Sequence, residues 1–157
     1  MKTFVQIGVL VTLAALTACA SHKTTVATSS GDATITQSGN GQQVTVQSSS
    51  GTVTVGGSVD PSNLGAPVYP GAEANTTMNV TGSDAGAMAA FKTNDDFDKV
   101  YDWYKSQLPA GSEKMKMSSG DGSVAEFVIE GANGKTAVQV TGKAGETEIL
   151  ITHSAKN

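Results

Sequence analysis

The sequence predicts an α+β fold: an antiparallel sheet with elements in the order β-β-α-β-β-β-β, one amphipathic helix, and a polar, β-prone tether ahead of it. Three features of the chain predict this. Apolar side chains recur at helical spacing between Phe97 and Leu108. Residues 114–153 break into alternating segments joined by turn-forming pairs. Residues 20–64 hold no aromatic side chain and are dominated by Ser, Thr, Gly, Gln and Val.

The α+β domain is expected over 67–157, where almost all the large apolar side chains lie. Asn75–Val80 and Ala85–Lys92 read as strands, the second with Met88 and Phe91 as its bulky members. Thr93 or Asn94 can cap a helix, while Asp95, Asp96 and Asp98 suit the positive end of its dipole. The helix spans Asp95–Leu108, with Phe97, Val100, Tyr101, Tyr104 and Leu108 in one stripe and Trp103 off its centre. Pro109-Ala110-Gly111 ends it.

Strands are then expected at Lys114–Ser118, Ser123–Glu130, Lys135–Thr141 and Glu146–His153. Asn133-Gly134 and Ala144-Gly145 are short hairpin signals, so neighbours pair antiparallel. Ala125, Phe127, Val138, Val140, Ile149 and Ile151 suit a face covered by the helix. Val124, Val128 and Leu150 lie on the other face among Glu, Thr and Gln. That face is either solvated or covered by the Val/Thr segments of 33–55.

Ahead of the domain, Ser21–Gly31 has no sustained apolar period and reads as a flexible tether. Three short strand candidates follow, at 33–36, 44–46 and 52–55, separated by Ser/Gly/Asn turns. Three such strands bury little apolar area and are marginal alone. The other reading of this stretch is a low-complexity stalk. Asp60 to Pro67 then breaks regular structure and marks the domain boundary.

Composition excludes several classes. A chain of 157 residues with one cysteine cannot be a disulfide-stapled miniprotein, and its 18 glycines have no collagen period. A net charge of −4, with lysine as the only strong base and no arginine, argues against a nucleic-acid partner. Asp95, Asp96, Asp98 and Asp102 lack calcium-loop spacing and read as helix-terminal acids. His22 and His153 have no metal-ligand spacing, and no G-x-S-x-G elbow or phosphate loop occurs. No catalytic residue, metal site or cofactor is therefore expected. Tyr69 and Trp103 are candidates for contact with a protein or glycan partner, weighed against core packing.

The N-terminus is an address. Met1-Lys2-Thr3 precedes an apolar run too short for a hydrocarbon core, which needs about 20 residues. The run ends in Leu16-Thr17-Ala18-Cys19, which resembles the lipobox of bacterial lipoproteins. The resemblance implies a signal peptide over 1–18, cleavage between Ala18 and Cys19, and acylation of Cys19 with palmitate-type chains. Two or three such chains hold a protein durably on a membrane, at ~0.8 kcal/mol per buried methylene. Ala20 and Ser21 follow, without the aspartate of inner-membrane retention, so the resemblance points to the outer membrane with the protein facing the periplasm. In a single-membraned cell the anchor would sit in the outer leaflet of the plasma membrane. The expected division is thus 1–18 signal, 19–66 tether with short strands, and 67–157 domain.

Pro67-Val68-Tyr69-Pro70-Gly71-Ala72, then Thr93-Asn94-Asp95 and Val100-Tyr101-Asp102-Trp103-Tyr104, resembles a pattern in uncharacterised envelope lipoproteins: a P-x-Y-P-G-A opening, a T-x-D cap and a V-x-x-W/F-Y helix. It covers 67–108 and implies no catalytic residue. The expected function is binding or scaffolding at the cell envelope. The alternative is a periplasmic ligand-binding or hydrolytic domain whose site is assembled from separate strands.

Overall fold

The computed structural model describes residues 22–28, 31–38, 43–49, 51–58, 60–82, 85–143 and 145–156. Their strands are β1 (His22–Thr28), β2 (Gly31–Gln37), β3 (Gln43–Ser48), β4 (Gly51–Gly56), β5 (Glu73–Gly82), β6 (Gly86–Thr93), β7 (Glu113–Ser119), β8 (Gly122–Gly131), β9 (Gly134–Lys143) and β10 (Glu146–Ala155). The helix α1 (Phe97–Gln107) lies between β6 and β7, and a 3-10 turn (Pro61–Asn63) lies between β4 and β5. All ten strands form one antiparallel sheet in the order β1-β2-β3-β4-β5-β6-β10-β9-β8-β7. The architecture is α+β, dominated by the sheet.

Two expectations are corrected. Within the stretch read as a flexible tether, residues 22–28 form β1, which pairs with β2 over its whole length, from His22↔Gln37 to Thr28↔Gly31. Few apolar residues are needed there, since the ladder satisfies the backbone and Thr and Val suit extended chain. The β-β-α-β-β-β-β order is also too short, as four paired strands precede it.

The segments at 33–55 do not cover the second face either. They continue the sheet sideways, through Val53↔Val80 and Val55↔Met78 between β4 and β5. Strands on either side of Pro67 are thus hydrogen-bonded neighbours, β4 with β5.

Side-chain alternation fixes the core. Phe91, Ile149, Val140 and Ala125 are ladder partners in one row across β6, β10, β9 and β8, and Ala89, Ile151, Val138 and Phe127 form the next. Ala89 and every member of these rows on β10, β9 and β8 is fully buried. Over them α1 lays Phe97, Val100, Tyr101 and Tyr104, with its backbone nearest β9 and β10 and its two tyrosine rings against Phe127 of β8. Leu64, Ala66 and Tyr69 join the same core from the β4–β5 connection.

The helix starts at Phe97, two residues later than expected, with Asp96 in the N-cap position but without a side-chain cap bond. Thr93 instead accepts from the Asp95 amide at 3.2 Å, closing the turn that leads into the helix. No helix among the described residues is long and apolar enough to cross a membrane.

Candidate functional site

Ala18 and Cys19 lie outside the described residues; β1 begins three positions after the cysteine. The two aromatic contact candidates are adjacent in space. Trp103 meets Tyr69 edge-on at 5.3 Å between centroids and Tyr104 at 4.8 Å. Trp103 is half-buried against the core. Tyr69 is only 5% exposed, so it packs the interior and does not offer its ring to a partner.

The Tyr69 hydroxyl donates to Asp95 Oδ2 at 2.7 Å, while Lys99 donates to Oδ1 of the same carboxylate at 2.8 Å. Lys99 first, and Tyr69 second, hold Asp95 below the usual carboxylate range. Burial, reinforced by Asp95, raises the Tyr69 phenol. Asp98 is engaged as well, by Lys116 at 3.2 Å. Lys116 lies 3.8 Å from the centroid of the Tyr101 ring, a cation–π contact that roofs the outer end of the helix. These acids anchor α1. No group of three or more metal-ligating side chains occurs among the described residues.

A groove of about 390 Å³, lined by both apolar and polar side chains, opens at the other end of the helix-side face, where the β4–β5 connection crosses the sheet. Its walls include Ser62, Asn63, Asn79, Thr81, Asn133 and His153. His153 Nδ1 and Thr136 Oγ1 are hydrogen-bonded at 2.8 Å. Gly65, at φ +66, lets the connection pass over them: a Cβ there would lie 2.7 Å from His153 Nδ1.

Ser62 Oγ donates to Asp60 Oδ1 at 2.7 Å, and this bond with the Ser62 amide lowers the Asp60 carboxyl. The serine proton is thus held by a carboxylate at the rim and His153 by a hydroxyl, so the three are not in nucleophile–base–acid order. The groove offers amide, hydroxyl and imidazole groups to a neutral polar ligand.

Sequence reasoning missed this groove. By sequence, Ser62 and Asn63 belong to the tether, Asn133 to a hairpin turn and His153 to a strand end. These residues are separated by up to 91 positions, and no spacing rule joins them.

The sheet face away from the helix is different. Val44, Val55, Met78, Met88, Thr152, Ala137 and Val128 are successive ladder partners in one row that crosses seven strands, from β3 to β8. Beside it Ile35, Val46, Val53 and Val80 form a second row, from β2 to β5. None of these side chains is fully buried, and Val55 is 42% exposed.

No family model, curated protein or solved structure matches the chain.

Proposed function

We propose that the chain is a lipid-anchored cell-envelope protein that acts as a binding or scaffolding module and not as an enzyme. The carrying observation is the lipobox-like Leu16-Thr17-Ala18-Cys19, which stands directly ahead of a sheet whose first described strand opens at His22. Acyl chains on Cys19 would hold the folded sheet at the bilayer surface through a very short link. The location that fits this sequence is the outer membrane, facing the periplasm, or the outer leaflet of the plasma membrane in a single-membraned cell. The likeness of 67–108 to envelope lipoproteins supports the same reading.

The partners of such a module are membrane lipid, through Cys19, and an envelope protein or glycan. Trp103 remains a contact residue in this proposal and Tyr69 supports it from beneath. Metabolic labelling with palmitate tests the anchor: label enters the wild-type protein and is absent from Cys19→Ala. Equal labelling of both would end the proposal.

A second reading rests on the groove, where Ser62 and His153 share one set of walls. It makes the protein a periplasmic ligand-binding or hydrolytic domain. Titration of wild type and Asn79→Ala with neutral oligosaccharides, followed by NMR shifts at His153, tests it; no shift in either protein removes that reading.

A further inference from the structure

The uncovered face of the sheet asks for an occupant. Its two apolar rows contain Ile35, Val44, Val46, Val53, Val55, Met78, Val80, Met88, Ala137 and Val128, all on the side opposite α1. The helix and the β4–β5 connection cover only the other side. Strands β2, β3 and β4 show the same imbalance most sharply, because their valines and isoleucine face one way and Thr36, Thr45 and Thr54 the other. We infer that this face packs against the same face of a second copy of the chain, forming a two-fold sandwich of two sheets.

Size supports a second copy. The rows of seven and four positions, with the row Thr76, Ala90, Leu150, Gln139 and Glu126 beside them, at ~4.8 Å by ~6.7 Å per position, make roughly 500 Å² per copy, or about 1,000 Å² for the pair, the area at which a specific protein interface begins. Shape supports it too. A continuous sheet face carries its apolar rows across many strands and can meet its own two-fold image at about 10 Å separation.

Charge separates a second copy from a bilayer. The borders of the face carry both signs, with Glu73, Lys92 and Glu148 in one ladder row and Lys135 paired to Glu130 at 3.7 Å in another. Mixed signs can be matched by a second copy; the acids among them repel an anionic lipid surface. The pairing does not depend on Cys19 being acylated, although anchoring would concentrate copies in one plane.

Sedimentation equilibrium of the full chain in density-matched detergent reads the association directly. The expected protein mass is twice that of one chain of the same preparation in denaturant. Val55→Lys, at the most exposed of the row positions, and Val128→Lys, at the far end, each raise the dimer dissociation constant at least about tenfold. Gln107→Lys, on the exposed end of α1, leaves it unchanged. Circular dichroism identifies any variant that fails to fold; Val55→Gln then takes its place with the same expected direction. A wild-type monomer at about 100 µM, or a dimer indifferent to Val55 and Val128, overturns the inference. Binding of the Cys19→Ala chain to phosphatidylglycerol vesicles that Val55→Lys abolishes would also overturn it, by making the bilayer the occupant.

Discussion

The Tyr69 hydroxyl and the Asp95 carboxylate are joined at 2.7 Å across 26 positions of chain, tying the irregular β4–β5 connection to the turn that starts α1. The phenol ring is buried while the carboxylate sits at the surface, where Lys99 shares it. Removing the hydroxyl keeps the packing and loses the tie. Tyr69→Phe therefore lowers the thermal midpoint by a few degrees without changing the far-ultraviolet spectrum, as differential scanning calorimetry and circular dichroism will show.

The carboxylates of this helix layer also set a pH dependence. Asp95 is lowered by Lys99 and then Tyr69; Glu113 is lowered by the Tyr101 hydroxyl and then Lys105. A carboxyl whose folded pKa lies below its unfolded value binds fewer protons when folded. Its contribution is complete above the unfolded pKa and disappears as pH falls through the folded one. Stability should thus start to fall near about pH 4–4.5, the ordinary carboxylate range, and continue to fall below it. Lys99 and Lys105 are raised by the same contacts, so a second decline belongs above their ordinary range, at high pH. Urea midpoints at about pH 7 and about pH 3 check the acid limb: Asp95→Asn with Glu113→Gln shows a smaller drop between them than wild type. An equal drop would mean that these two sites do not set it.

Leu64 is fully buried although it comes from a stretch of polar and turn-forming residues. It enters the core immediately after the 3-10 turn that Asp60 caps and Pro61 starts. Leu64→Ala should cost about 2–5 kcal/mol, the range for a large aliphatic side chain removed from a closed core. Urea denaturation will measure it, and a loss near zero would place Leu64 in a peripheral tether after all.

Leu64 also shows where the sequence was readable. The helix stripe and the buried rows of β8, β9 and β10 could be seen, because 3.6-residue and two-residue periods are local properties of the chain. The strand candidates at 33–36, 44–46 and 52–55 fall within β2, β3 and β4 for the same reason. Their pairing with β5 could not be seen. It joins residues 23 to 31 positions apart through backbone bonds that any side chain can make. Leu64, alone among polar neighbours, had no period to reveal its burial. The groove was hidden for a related reason, since Ser62, Asn133 and His153 meet only after the sheet has folded.

Tyr104 is fully buried beneath Trp103, and its hydroxyl has no hydrogen-bond partner among the described residues. Burial pushes this phenol well above its ordinary pKa, with the Tyr69 backbone opposing the shift weakly. An orphaned buried hydroxyl costs free energy that a phenyl ring does not. Tyr104→Phe should therefore raise stability by about 1 kcal/mol, read from the urea midpoint at constant slope. A loss of similar size would show that the hydroxyl is satisfied in solution.

The seating of α1 depends on a glycine in β9. A Cβ on Gly142 would lie 2.5 Å from Phe97 Cβ and 3.1 Å from its Cγ, inside any tolerable approach. Phe97 opens the helix and stacks on Tyr101 at 6.0 Å, so it cannot retreat without moving the aromatic layer. Lys116 roofs the same pair of rings from β7 and closes the other side. Gly142→Ala should destabilise by about 1–3 kcal/mol through overpacking, although only one methyl is added. Gly120→Ala, where a Cβ meets nothing within 4 Å, is the control and should leave the midpoint unchanged. Equal midpoints for the two variants would show that the helix can lift off β9 at no cost.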